Sequence, residues 1–350
     1  MENLEILFLI TMTSFGVTFF SIPAIIKVCS IKKLFDSPNQ RKNHKRPTPT
    51  LGGLGIFAGF VFSITFWSKS LQITQLQYII CATLVIFFMG MKDDLIPMTP
   101  LKKIIGQFFA ACIIILLADI RLKSLYGIFG IYEISYLPSV ILSFFTVLGI
   151  TNSFNLIDGI DGLAALIGLL STSIFGAWFY LSGYIHYAFL AYAFVGALLA
   201  FLWFNKHPAE IFMGDTGSLL IGLTNSILAI SFIELNRNYS GPPVYKITSV
   251  PAVAIGILII PLFDTLQVTF RRILSGTSPF KPDRRHLHYI LSDLKVSHSN
   301  SSLILLSLNT LIIIFSFSLR SGVGEIVAMS SISIMTLFLF FLMKKNKRTN

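Results

Sequence analysis

Charge is scarce in this chain. Only 12% of its 350 residues are Asp, Glu, Lys or Arg, about half the roughly 25% that a soluble globular domain carries. So few charges cannot cover a water-facing surface of this size, which excludes an ordinary soluble enzyme. Cysteine is scarce too. Cys29, Cys81 and Cys112 are the whole complement, all lie in apolar sequence, and their spacing suits neither a disulfide framework nor a zinc site. The marks of a cleaved leader are also missing. The first apolar block, residues 6–28, follows Glu2 and Glu5 rather than a basic segment and has no small-residue cleavage site behind it, so it is expected to be a retained first span.

What the chain has in abundance is apolar sequence. Hydrophobic residues make up 54%, 33 of them phenylalanine, and the mean hydropathy is +0.77. They lie in long blocks, not in the periodic stripes of amphipathic surface helices. A spanning helix needs about 20 apolar residues, and eleven blocks approach that length: 5–28, 51–68, 76–91, 101–119, 138–155, 162–181, 185–204, 216–234, 248–269, 301–319 and 323–343. The expected fold is all-α, a polytopic integral membrane helical bundle of about 11 transmembrane helices, as a single domain over residues 1–350.

The charges that remain sort by side. The net charge of +11 would suggest nucleic acid in a soluble protein, but here the Lys and Arg residues lie in loops between apolar spans. That pattern speaks against a nucleic-acid partner and for membrane lipids. With the N-terminus outside and the C-terminus cytoplasmic, 21 of 27 Lys and Arg fall inside, as the positive-inside rule requires. Ten of the 16 acids fall on the same side: Asp36, Asp93, Asp94, Asp158, Asp161, Glu210, Asp215, Asp264, Asp283 and Asp293. Ionisable groups near a bilayer are costly and mark function. The chemistry is expected to face the cytoplasm, in the loops 29–50, 91–103, 152–163, 205–218 and 270–300.

Five motifs occupy those loops. Asp93-Asp94 ends the third span, and adjacent carboxylates there call for a cation or proton between them, although a solvated helix end would explain the pair alone. Lys102 and Lys103 follow and bring positive charge. Next comes Asn152-Ser-Phe-Asn155-Leu-Ile-Asp158-Gly159-Ile-Asp161-Gly162. Asn152, Asn155 and Asp158 share one helical face, and such hard oxygen donors suit Mg²⁺, with Mn²⁺ as an alternative. Gly214-Asp215-Thr216-Gly217-Ser218 opens the eighth span, where Asp215 could cap a helix whose N-terminus offers an anion site. Arg284-Arg285-His286-Leu287-His288-Tyr289 is suited to gripping phosphate and stacking on a base or sugar. The first inner loop ends Pro47-Thr-Pro49-Thr50-Leu-Gly52-Gly53, an extended entry into the second span. Asp264 stands within the ninth span, where pairing with Arg271 or Arg272, or support of the metal residues from a second layer, would account for it.

In this order the motifs closely resemble the polyprenyl-phosphate N-acetylhexosamine-1-phosphate transferase family, and within it the bacterial branch that uses UDP-GlcNAc. The resemblance runs from about Asp36 to Tyr289. It implies a reaction in the bacterial cytoplasmic membrane: UDP-N-acetylhexosamine and undecaprenyl phosphate give undecaprenyl-diphospho-HexNAc and UMP, with Mg²⁺. This is the step that starts O-antigen of lipopolysaccharide, enterobacterial common antigen or teichoic acid chains. By resemblance Asp215 is the principal metal ligand, with Asn155 at the metal or diphosphate. Asn152, Asp158, Gly159 and Asp161 serve the nucleotide sugar, Asp161 near the uracil. Asp93, Asp94 and Lys103 are catalytic, at the acceptor phosphate. Arg285, His286 and His288 hold the sugar-diphosphate side. Tyr289 departs from the branch, which commonly has histidine there. Another UDP-HexNAc donor remains open, as does a homodimer. A secondary transporter is the rival from a different class, although acids on one face and the lack of a visible repeat between the halves speak against it.

Overall fold

The computed structural model describes residues 2–36, 48–71, 73–278, 285–319 and 323–349. Residues 37–47 of the first basic loop, and Pro282, Asp283 and Arg284, lie outside them. The chain is built almost wholly of helices: α1 (Glu2–Lys32), α2 (Gly52–Phe66), α3 (Ser68–Leu71), α4 (Leu76–Leu95), α5 (Pro100–Cys112), α6 (Tyr136–Ile157), α7 (Leu163–Leu181), α8 (Ile185–Asn205), α9 (Gly214–Arg237), α10 (Val250–Ile257), α11 (Ile259–Leu274), α12 (Leu287–Asp293), α13 (His298–Ser318) and α14 (Gly324–Thr349). Among the described residues the strands are β1 (Phe35–Asp36) and β2 (Thr48–Pro49), which pair antiparallel.

Among the described residues, eight helices are long and apolar enough to cross a bilayer: α1, α4, α5 with its π-helical extension to Leu117, α6, α7, α8, α9 and α13. This is the polytopic helical membrane protein that the composition predicts. Two expected spans are shorter. The second is α2, of 15 residues, about 22 Å at 1.5 Å per residue against a hydrocarbon core of about 30 Å; the last has its apolar stretch at Ala328–Lys344. Phe20, Phe66, Phe145 and Leu266 are exposed on the outer surface, where lipid tails solvate them at no penalty.

The ninth expected span needs a correction. It is not one helix but two, α10 and α11, bent by 81°. Pro261 is the cause: its ring clashes with the carbonyl four residues back, at Ile257, and it lacks an N–H. A break in apolar surroundings strands backbone groups, which must find partners inside the protein. Asn309 of α13, fully buried, supplies them. Its amide donates to the Ile257 carbonyl at 3.1 Å, and its Oδ1 accepts the Ile260 amide at 3.3 Å.

α9 is the central helix, with 89% of its most apolar stretch buried against 28% for α1. Without a hydrophobic drive between helices in lipid, contact comes from close packing and polar links. Asn225 of α9 links to Ser171 and Thr172 of α7. At the start of α9 the packing is backbone to backbone: a Cβ added to Gly53 of α2 would fall 2.3 Å from the Gly217 nitrogen, and one on Gly90 of α4 would fall 2.5 Å from the Thr216 Cα. Only glycine fits at either position.

Candidate active site

The ends of α4, α6 and α8 and the starts of α2, α5, α7, α9 and α13 meet at one end of the bundle around a pocket of about 450 Å³. Its lining includes Asp93, Asp94, Asn155, Asp158, Gly159, Asp161, Asp215, Tyr289 and His298. Three carboxylate motif segments that are far apart in sequence thus share one cavity. At the opposite end Asp119 is bridged by Arg121 and Lys123, and Arg237 is paired with Glu133.

Lys103 ties together two of the lining aspartates. Its ammonium is 2.5 Å from Asp215 Oδ2 and also pairs with Asp93. Pro100 at the first turn of α5 starts that helix right after the loop from α4, which turns Lys103 back toward the aspartates. The loop is fastened by the Met98 amide, donating to Asp93 Oδ1 at 2.5 Å. Asn155 lines the pocket beside them and donates to Ser218 Oγ at 3.0 Å.

Asp94 does something else. Its Oδ1 accepts the Asp215 amide at 2.7 Å, and its Oδ2 accepts the Thr216 amide at 3.1 Å and the Thr216 hydroxyl at 2.5 Å. A carboxylate from another helix therefore caps α9, where charge and dipole agree. The sequence reading of that N-terminus as a free anion site is corrected here, since its first amides are already taken. Asp215, the expected cap, is released to face the pocket.

Asp158 ends α6 and lies in the same pocket. Burial, together with the charges of Asp215, Asp94 and Asp161, pushes its carboxyl up to about 8. Asp161 goes the other way. Burial would raise it, but His298 and His207 beside it outweigh that and hold it below the ordinary carboxylate range. His207 Nδ1 is 2.5 Å and His298 Nδ1 3.7 Å from Asp161 Oδ2.

Several expected site residues have turned elsewhere. Asn152 does not line the pocket; it exchanges two hydrogen bonds with Gln107 of α5, at 2.7 and 3.2 Å, a reciprocal amide clasp between α5 and α6. Asp264, 1% exposed, accepts from His286 Nδ1 at 2.8 Å and from the Leu287 amide at 2.7 Å. It caps α12 as Asp94 caps α9, in place of the arginine partner that was one of the two expectations for it. His286 is thereby held inward. His288 is buried, and its ring lies against Gly159, where an added Cβ would come within 2.2 Å of Nε2; burial lowers this imidazole to about 4, so it is neutral. Arg285 reaches Ser275 Oγ at 3.4 Å, and its carbonyl accepts from Gln267. The histidine motif thus supports the pocket wall at Gly159, and Tyr289 is its member in the lining.

Sequence reasoning missed Gln107, Asn205, His207 and His298. Asn205 joins two loops, accepting the Gly162 amide at 3.0 Å and donating to the Ile211 carbonyl at 2.8 Å. A lone amide or imidazole at a helix end carries no spacing signal, so only the fold reveals these.

A hard divalent cation fits this donor set. Asp215 and Asp93 face one another across Lys103, Asn155 adds an amide oxygen, and oxygen donors of this kind are what Mg²⁺ takes.

Comparison with known proteins gives the family. Residues 76–233 match the model of "Glycosyl transferase family 4". The chain is 31% identical to the "Probable undecaprenyl-phosphate N-acetylglucosaminyl 1-phosphate transferase" of Bacillus subtilis, over 92% of this chain and 85% of the relative. It is 31% identical to the "Decaprenyl-phosphate N-acetylglucosaminephosphotransferase" of Mycobacterium tuberculosis, over 85% and 78%. It is also 31% identical to the "Undecaprenyl-phosphate alpha-N-acetylglucosaminyl 1-phosphate transferase" of Yersinia pestis, over 74% and 69%. With its motifs gathered at one cavity and its relatives matched over most of their length, the chain belongs to glycosyl transferase family 4, the polyprenyl-phosphate N-acetylhexosamine-1-phosphate transferases.

Proposed function

We propose that the protein transfers GlcNAc-1-phosphate from UDP-GlcNAc to undecaprenyl phosphate, giving undecaprenyl-diphospho-GlcNAc and UMP, in the bacterial cytoplasmic membrane with its pocket toward the cytoplasm. The observation that carries this reading is Lys103 held between Asp93 and Asp215 inside a membrane-embedded bundle. Two anionic substrates must meet there, and the site holds both a fixed cation and carboxylates for a second one. The names of the relatives supply the sugar and the lipid.

Asp215, Asp93 and Asn155 would hold the Mg²⁺. When bound, it supplies charge neutralisation between the two phosphates and at the departing UMP. The chain's own groups do the rest. An oxygen of the lipid phosphate attacks the phosphorus that carries the sugar, and the bond to the UMP oxygen breaks. A phosphate monoester has a second pKa near 6, so at neutral pH the acceptor is largely a dianion and no strong general base is required. Direct attack is therefore favoured over a covalent aspartyl intermediate. Lys103 steadies charge that builds on the phosphoryl oxygens. Asp158 and Gly159 shape the wall that receives the nucleotide sugar, with Tyr289 offering a ring to stack on. The isoprenoid tail stays in lipid while the UDP-sugar arrives from water, which is why the pocket lies at the end of the bundle. Such a product is the starting unit of a cell-envelope polysaccharide.

The test is UMP release by detergent-purified protein given Mg²⁺, undecaprenyl phosphate and a panel of UDP-sugars. Release with UDP-GlcNAc that needs the lipid, stops with EDTA and is lost in Asp215→Asn is expected. Folded protein that releases no UMP with any UDP-HexNAc would overturn the proposal.

A further inference from the structure

Three segments that the transferase reading does not unite converge at the rim of the pocket. Asp161 comes from the turn between α6 and α7, His207 from the loop between α8 and α9, and His298 is the first residue of α13. One ligand atom from each, a carboxylate oxygen and two imidazole nitrogens, lies within 4.8 Å of the other two. The imidazole rings are 5.2 Å apart, centroid to centroid.

A hydrogen bond between Asp161 and His207 accounts for two of the three. It does not account for His298. Its Nδ1 is buried with no hydrogen-bond partner among the described residues, and it points at Asp161 Oδ2 from 3.7 Å, too far for a hydrogen bond and close enough to share an ion. The Asp161 side chain is 9% exposed while His207 is 42% exposed, so the cluster has a shielded carboxylate and an open side for entry. Asp161 and His298 also line the pocket, which leaves room for water or a substrate atom as a further ligand.

We propose that Asp161, His207 and His298 form a binding site for a borderline-soft divalent cation of the Zn²⁺ class, at the rim of the pocket and distinct from the hard oxygen set at Asp215. Two imidazoles and one carboxylate with an open position are a donor set that Zn²⁺ accepts, and imidazole selects it over Mg²⁺. An ion there joins the α6–α7 turn, the α8–α9 loop and the start of α13, and it occupies Asp161 on the nucleotide side. Its occupancy therefore raises the KM for the nucleotide sugar. That second half rests on the transferase reading, and the binding half does not.

The experiment uses full-length protein in detergent, carrying a tag without histidine and stripped with a chelator. Zn²⁺ is titrated in competition with a chromophoric chelator, and Co²⁺ is added separately to record its visible absorption, which reports imidazole coordination independently of activity. A single equivalent of Zn²⁺ is expected in the wild type and in Asp215→Asn, weakened about tenfold or more in His207→Phe and in His298→Gln. His207 is on the surface, so its variant folds even if the other does not. No stoichiometric Zn²⁺, or Zn²⁺ that survives both histidine substitutions, would overturn the site. With Mg²⁺ saturating, Zn²⁺ should raise the UDP-sugar KM of the wild type and leave that of His207→Phe at its own zinc-free value; binding without that change would overturn the second half alone. If no condition gives UMP release, the transferase reading fails while the binding result stands.

Discussion

Asp94 caps the helix that carries Asp215: the carboxylate of one accepts the backbone amide of the other at 2.7 Å. Two neighbours in a pair of aspartates therefore have different duties. Asp93 faces Lys103 and the pocket, and Asp94 faces the backbone of α9. Removing the cap in Asp94→Ala should lower stability by about 2 kcal/mol, seen as a lower melting temperature in detergent. Asp94→Asn should lose less, because its amide oxygen still accepts one N–H. An unchanged melting temperature in Asp94→Ala would show that the cap contributes nothing.

Lys103 occupies the space between Asp93 and Asp215, so it competes with a divalent ion for the same oxygens while it serves the phosphates. Lys103→Met should reduce turnover by about 10²- to 10³-fold. The same variant should gain more thermal stability than the wild type when Mg²⁺ is added, since two carboxylates are left facing each other. A smaller Mg²⁺-induced shift in Lys103→Met would contradict the placement.

The Asn309 clasp predicts a defect far from the pocket. Asn309→Leu fills the space but leaves the Ile257 carbonyl and the Ile260 amide without their partner, at about 1–3 kcal/mol for each buried group. Lower yield and a lower melting temperature are expected, with UDP-sugar affinity retained in whatever protein folds. A variant as stable as the wild type would mean that the bend needs no such support.

Asp158 gives a pH signature. Its carboxyl sits at about 8 in the fold against about 3.9 in an unfolded chain, so the folded state binds the extra proton between those values. A raised pKa contributes stability that is complete below the unfolded value and is lost as pH rises through the folded one. Ligand-free protein should therefore become less stable from about pH 4 to about pH 8, and Asp158→Asn should flatten that slope. A slope of the same size in Asp158→Asn would remove Asp158 as its source.

Gly159 and His288 should be coupled. Gly159→Ala pushes a methyl into the buried imidazole and is expected to destabilise by about 1–3 kcal/mol. Adding His288→Ala opens the space, so the double variant should lose less than the sum of the two single ones. Strict additivity of the melting shifts would refute the contact.

The helices and the shared cavity were legible in the sequence because both rest on local signals. Long apolar runs form spans whatever they pack against, and the motifs keep their order at successive span ends. What stayed hidden depends on partners distant in sequence. Nothing near Asp94 says that it caps a helix 120 residues away, and nothing near Asp264 says that it caps α12. Asn152 looked like a pocket residue because it shares a helical face with Asn155, yet Gln107 claims it. Pro261 was visible, but a run of high hydropathy conceals a bend, since hydropathy measures transfer and not direction.

The backbone contacts of Gly53 and Gly90 with the first turn of α9 decide which parts of the enzyme move. Side chains that interdigitate can slide by a rotamer, but backbones in direct contact separate fully or not at all. Asp93 and Asp94 on α4 and Asp215 on α9 therefore stand on one fixed floor, and their spacing is set by backbone contact and not by the rotamers of their neighbours.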